Sequence, residues 1–137
     1  MTETPEGSVF YERQQLHAFH NWYAAYLQQK KPDEVDQIVT NAFTEAFLVH
    51  YRNLIDFLSP RKTTHPNDIT AAGFSPGFVS TKAPTQYRDR IDKSLSHVSR
   101  ARGDVEDKSW NLPQMLIEME AAWNELIEHA RSLADEG

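Results

Sequence analysis

The chain has no cysteine. Disulfides, thiol nucleophiles, cysteine-ligated zinc and iron–sulfur clusters are excluded with it, and the lack mildly favours a reducing compartment. There is no run of about 18 apolar residues, so no membrane-spanning segment is expected. The opening stretch Met1–Gly7 is polar and acidic where a secretory leader would be basic and then apolar. These absences predict a cytoplasmic chain with no membrane partner. Glycine-rich phosphate loops, a nucleophile elbow, internal repeats and low-complexity tracts are all missing. So is the Glu-x-x-His pattern of di-iron bundles, since Glu125 and His129 are four apart. His17 and His20, three apart, would need further ligands from elsewhere, and neither a metal nor another cofactor is expected.

What is present fits one helical domain. At 137 residues the chain has room for a single core, over 1–137. Such a chain buries roughly two thirds of the surface it exposes when unfolded. The formal net charge is −6, which disfavours nucleic acid and anionic membranes as partners through overall electrostatics. The charge is unevenly spread. Residues 82–102 carry six basic side chains against two acidic ones, whereas residues 112–137 carry six acidic against one basic.

Four segments have helical periodicity. The first is expected from Ser8, as cap, to Lys31, after a disordered tail over 1–7. In the second, Pro32 sits in the first turn with Asp33, Glu34 and Asp36 at the positive end of the dipole, and Pro60 stops the helix after Ser59. The third starts near Thr85 and ends at Gly103, and the fourth has Asn111 as cap and Pro113 in its first turn. Between the second and third lies a long proline-rich loop, 60–84, in which Asn67 could cap a short turn ending at Gly73 and Phe74 and Phe78 could pin the loop to the domain. The fold class expected is all-α, a four-helix up-and-down bundle.

On the second segment, 100° steps place Val39, Phe43, Ala46, Leu54 and Phe57 on one face, with His50 near its centre and Asn53 at its edge. Apolar residues occupy most other sides too, so this helix should be the most enclosed. Arg52 and Asp56, four apart on its polar strip, are expected to pair. On the third segment the apolar stripe Tyr87, Ile91, Leu95 and Val98 is continued by Arg102, which then needs a carboxylate from Glu45, Asp56 or Glu118. Arg90 and His97 are seven apart and point one way, with Lys93 beside them, a grouping suited to holding a phosphate next to an imidazole.

His50–Leu58, HYRNLIDFL, followed by Arg90–Arg102, RIDKSLSHVSRAR, and Trp110 resembles a group of uncharacterised small bacterial helical proteins. The match implies roles for His50, Arg52, Asn53, Asp56, Lys93, His97 and Arg102. A more distant resemblance is to the HEPN superfamily of helical bundles, whose active members are metal-independent ribonucleases that dimerise to pair two Arg-x4–6-His motifs. Arg90 and His97 meet that spacing, although Ile91 stands where active members carry a polar residue. Two expectations follow. One is a helical interaction or accessory module, dimeric, that meets a protein partner and has no catalysis of its own. The other is a HEPN-like ribonuclease in which His97 transfers a proton on RNA and Arg90, Lys93 or Arg102 stabilises phosphoryl charge.

Overall fold

Proline is tolerated in the first turn of a helix, where its missing N–H had no partner to lose, and the first helix begins on one. In the computed structural model, which describes residues 5–61, 68–95 and 110–136, α1 spans Pro5–Gln29, α2 Gln37–Leu58, α3 Ala71–Phe74, α4 Arg88–Leu95 and α5 Leu112–Glu136. Single 3₁₀ turns at Pro32–Glu34 and Thr85–Tyr87 precede α2 and α4. The described residues are all-α, with no strand among them. No helix among them is long and apolar enough to cross a membrane.

Several boundaries differ from the sequence reading for local reasons. Residues 5–7 belong to α1 and not to a tail, because Pro5 can open a helix and Gly7 alone does not break one. The second helix begins five residues after Pro32. Lys31 N–H bonds Glu34 Oε1 at 3.1 Å and closes the 3₁₀ turn, and Asp36 then caps α2 by accepting from Ile38 N at 2.8 Å. Tyr26 Oη, reaching back from α1, accepts from Asp36 N at 2.9 Å and fixes the angle between the two helices. Thr70, not Asn67, caps α3, its Oγ1 accepting from Gly73 N at 3.1 Å. Asn67 lies outside the described residues. The chain after α3 turns at Ser75–Phe78, where Phe78 N bonds Ser75 O at 3.0 Å and Gly77 has φ 85°. Pro76 and Gly77 are the residues a type II turn demands at its two centres. Phe78 is buried by this turn, whereas Phe74 stays 37 % exposed and does not pin the chain. Asn111 caps α5 as its sequence predicts, accepting from Gln114 N at 3.1 Å.

α2 is the helix the others enclose. It packs against α1, α3, α4 and α5, and seven of its residues are buried. Its deepest face is Phe47, Leu48, Tyr51, Leu54, Ile55 and Leu58, roughly a quarter turn from the face the helical wheel centred on Phe43 and His50. The reason is asymmetric cover. Toward α1, Val39, Phe43, Ala46 and His50 meet one layer of aromatic rings and stay half-buried, while the Tyr51 side is closed by α4 and α5 together. Burial, reinforced by the Glu118 carboxylate, pushes the Tyr51 phenol well above its ordinary range, so it stays protonated and donates to Met115 O at 2.9 Å.

Phe47 is fully buried and stacks on Tyr51 with ring centroids 5.6 Å apart. Phe47→Ala is expected to cost about 3–5 kcal/mol of stability in urea unfolding. Ile38→Ala, at a side chain 79 % exposed on the same helix, should stay within about 0.5 kcal/mol. Similar losses at both positions would place the core elsewhere.

Candidate functional site

His50, Arg52, Asn53 and Asp56, on the second half of α2, are half-buried, and each finds a partner on another element. His50 Nδ1 lies 2.5 Å from Glu12 Oε2 of α1, and Asn53 Nδ2 donates to Glu12 Oε1 at 3.1 Å. The imidazole is stacked on Phe19 at 5.8 Å and meets the edge of Tyr11 at 6.2 Å. With a carboxylate on Nδ1 and rings on both sides, His50 works as a strut between α1 and α2. It sits at the rim of the core and not at its centre.

Arg52 and Asp56 do not pair with each other. Arg52 reaches Asp92 of α4 at 3.9 Å, and Asp56 holds Arg88 at 3.2 Å and Arg61 at 3.6 Å. Arg61 also binds Asp92 at 2.5 Å. The i,i+4 partner loses because α4 brings an opposite charge to each member, and Asp92 serves two arginines at once. Arg88 Nε faces Asp56 Oδ1 without the alignment of a hydrogen bond, so that contact is an ion pair. Its Nη2 donates instead to the carbonyls of Ile55 and Ser59, placing a cation on the negative end of the α2 dipole. Of the expected polar network of His50, Arg52, Asn53, Asp56 and Arg102, the first four therefore belong to two networks, one tied to α1 and one to α4, and Arg102 lies outside the described residues.

The third segment's residues are less concentrated than the sequence suggests. Arg90 lies over the ring of Trp110, 3.7 Å from its centroid, and Lys93 binds Asp89 at 3.1 Å. His97 and Arg102 lie outside the described residues. His17 and His20 do not converge. His17 Nε2 is 2.7 Å from Glu120 Oε1, and His20 contacts its neighbour Asn21 at 3.3 Å. Among the described residues no group of three His, Asp or Glu is arranged to hold a metal.

The space that could take a ligand is a cleft between the start of α1, the second half of α2, α3 and α5. Its largest compartment, about 360 Å³, is walled by Val9, Phe10, Phe57, Phe74, Trp123 and Leu126, with Asp68 and Thr70 at the rim. A second of about 270 Å³ is lined by Asn53, Asp56, Arg61 and Asp68, and a third of about 170 Å³ by Glu12 and Asn53. All three share Phe57 and Ile69, which makes them one cleft with an apolar end and an acidic end. Asn53 and Asp56, singled out from sequence, line it. Glu12, Ile69 and Asp68 were missed. The signal for Glu12 was available: it and Arg13 are the last charged residues before Lys30.

No family model matches the chain, and neither a curated protein nor a solved structure does.

α5 anchors the cleft's far wall through two carboxylates. Burial works against the charge of Glu120, but hydrogen bonds from Arg13 and His17 outweigh it and hold the carboxyl below its usual range. Arg13 grips it with both arms, Nε to Oε1 at 3.0 Å and Nη2 to Oε2 at 2.8 Å. Glu125 is likewise held low. Burial opposes its charge, and donors from Thr81, Ser80 and Lys82 overcome that, tying the chain after α3 to α5. Ser75, buried, completes the attachment with a 2.6 Å bond to His129 Nδ1.

A depressed carboxyl binds its proton less tightly in the folded chain than in the unfolded one. Its stabilisation is complete above the unfolded value and is lost as pH falls through the folded value. Glu120→Gln should therefore lower the urea midpoint at pH 7, with the gap to the parent narrowing as pH is taken down to about 3. A gap independent of pH would assign the link to shape and not to charge.

Proposed function

We propose that the chain is a cytoplasmic helical interaction module, a four-helix up-and-down bundle that dimerises, has no catalysis of its own and receives a short apolar segment of a protein partner in the cleft. The observation that carries this is the cleft's construction. An apolar compartment walled by Phe10, Phe57, Phe74 and Trp123 has the size and lining of a binding site, and Phe10, Ile69 and Phe74 leave apolar surface exposed at its mouth. Among the described residues, the adjoining compartments carry the carboxylates of Glu12, Asp56 and Asp68 against the guanidinium of Arg61. That balance favours a partner whose apolar anchor is flanked by a lysine or arginine. It disfavours phosphate, and with it RNA in the cleft.

Binding is tested by titrating the chain with acetyl-Leu-Lys-amide and following the methyl resonances of Val9, Ile69 and Leu126. Saturable shifts are expected at about millimolar ligand, as befits so small a probe, with weaker ones for acetyl-Leu-Glu-amide. Methyl groups that do not respond to either peptide would remove the cleft from the account.

The ribonuclease alternative, and with it the HEPN likeness, draws its support from the Arg90–His97 spacing. Against it, Arg90 is drawn onto Trp110 and Lys93 bonds Asp89, so a phosphate would compete with a carboxylate for Lys93. No cleavage of single-stranded RNA in the presence of a chelator is expected. Chelator-resistant cleavage that falls by about 10²–10⁴ in His97→Ala would reverse the assignment.

A further inference from the structure

A quarter of the chain's residues are charged, yet from Gln14 to Gln29 there is no Asp, Glu, Lys or Arg. The two charges in the preceding turn, Glu12 and Arg13, are turned inward onto His50 and Glu120. The solvent-facing side of α1, which flanks its contact with α2, is thus left without charge between Gln14 and Gln29. It is not left without bulk: Tyr11 is 50 % exposed and Trp22 58 %. Surface helices ordinarily carry their charges on this side, and the pairing of missing charge with exposed aromatic rings is the composition of an interface core.

Tyr11, Gln15, Ala18, Trp22, Ala25 and Gln29 follow one another at steps of four, three, four, three and four. At 100° per residue they fall within an arc of roughly 80°, opposite the buried Val9 and Leu16. This is the spacing of a seam against which a second helix packs. We propose that this seam docks the same seam of a second copy of the chain, antiparallel, across a two-fold axis near residue 20. The proposal deepens the dimeric reading above and rests on it.

Three features select a second copy as the occupant. A two-fold contact sets a patch against itself, so any charge near the axis would meet its like; on a chain of net charge −6 this face has none to meet. The step pattern reads the same in both directions, so the antiparallel register engages all six positions at once. In that register Ala18 faces Trp22, Gln15 faces Ala25 and Tyr11 faces Gln29, so each bulky ring meets a small or flexible side chain. A parallel pairing would instead set Trp22 on Trp22 and Tyr11 on Tyr11.

Sedimentation equilibrium of the full chain tests the assignment at concentrations up to about 200 µM, since one helix pair lies at the small end of specific interfaces and calls for a micromolar Kd. A species of twice the 15.8 kDa chain mass is expected. Trp22→Glu, at an exposed position, should weaken it at least about tenfold with the circular dichroism melt unchanged. The double variant Gln15→Lys, Ala25→Glu places opposite charges face to face in the antiparallel register and like charges in the parallel one, and it should dimerise at least as tightly as the parent. A monomer throughout the range would overturn both this surface and the dimeric reading. A dimer indifferent to Trp22→Glu would overturn the surface while leaving the dimer, and a double variant that falls apart would overturn the register. The cleft titration reads neither mass nor Trp22 and stands or falls separately.

Discussion

Enclosing α2 is the constraint on which the other features depend. Along its second half α2 is wrapped on several sides and leaves its polar residues only half exposed, and a buried polar group without a partner costs about 1–3 kcal/mol. His50, Arg52, Asn53 and Asp56 must then be met by side chains sent from neighbouring elements. α1 sends Glu12, α4 sends Asp92 and Arg88, and the residues after α2 send Arg61. Arg88 answers a second demand, because the last carbonyls of α2 also need donors. One guanidinium thereby fixes both the end of α2 and its distance from α4. Each of these links is a restraint between elements, so packing and polar satisfaction specify the same arrangement.

The helices were legible because periodicity is a local property. α5 reads directly, from the Asn111 cap and Pro113 through the Met115, Met119, Ala122 and Leu126 stripe. The central place of α2 also follows from its apolar residues lying on most sides. What the sequence did not show was partner choice. The Arg52 and Asp56 pair is the natural expectation within one helix, but the α4 charges that meet them, 40 and 32 positions away, cannot be seen in a wheel. Arg88 and Asp92 were visible only as two of the charges counted between residues 82 and 102. The face of α2 was misplaced for a related reason: a wheel finds the apolar side of a helix with one neighbour, and α2 has four. Of the candidate site, Asn53 and Asp56 were found, whereas the cleft depends on Ile69 and Phe74, which lie where periodicity carries no information.

The chain after α3 illustrates how a stretch with little regular structure can still be positioned. Gly77 supplies the left-handed conformation, Phe78 the buried anchor, and Glu125 collects donors from three successive residues. None of these contacts involves α2. The attachment to α5 therefore adds a second restraint on the chain around α3, which also packs directly against α2.

α1 joins the two proposed surfaces. By sending Glu12 to α2 and Arg13 to α5 it commits these two charges to internal links, and the rest of the helix from Gln14 to Gln29 is uncharged. The same sorting therefore produces the struts of the fold and the seam on its surface. Phe10 contributes to the cleft at one side of the helix, whereas Tyr11 begins the seam a hundred degrees further round. Because Tyr11 also packs edge-on against His50, the two faces meet at the Glu12–His50 contact. A change of partner on the seam that moved Tyr11 would act first on the imidazole, then on Glu12 and Asn53, which form the floor of the smallest compartment of the cleft. Tyr11, His50, Glu12 and Asn53 thus form a contiguous chain of contacts between the two proposed surfaces.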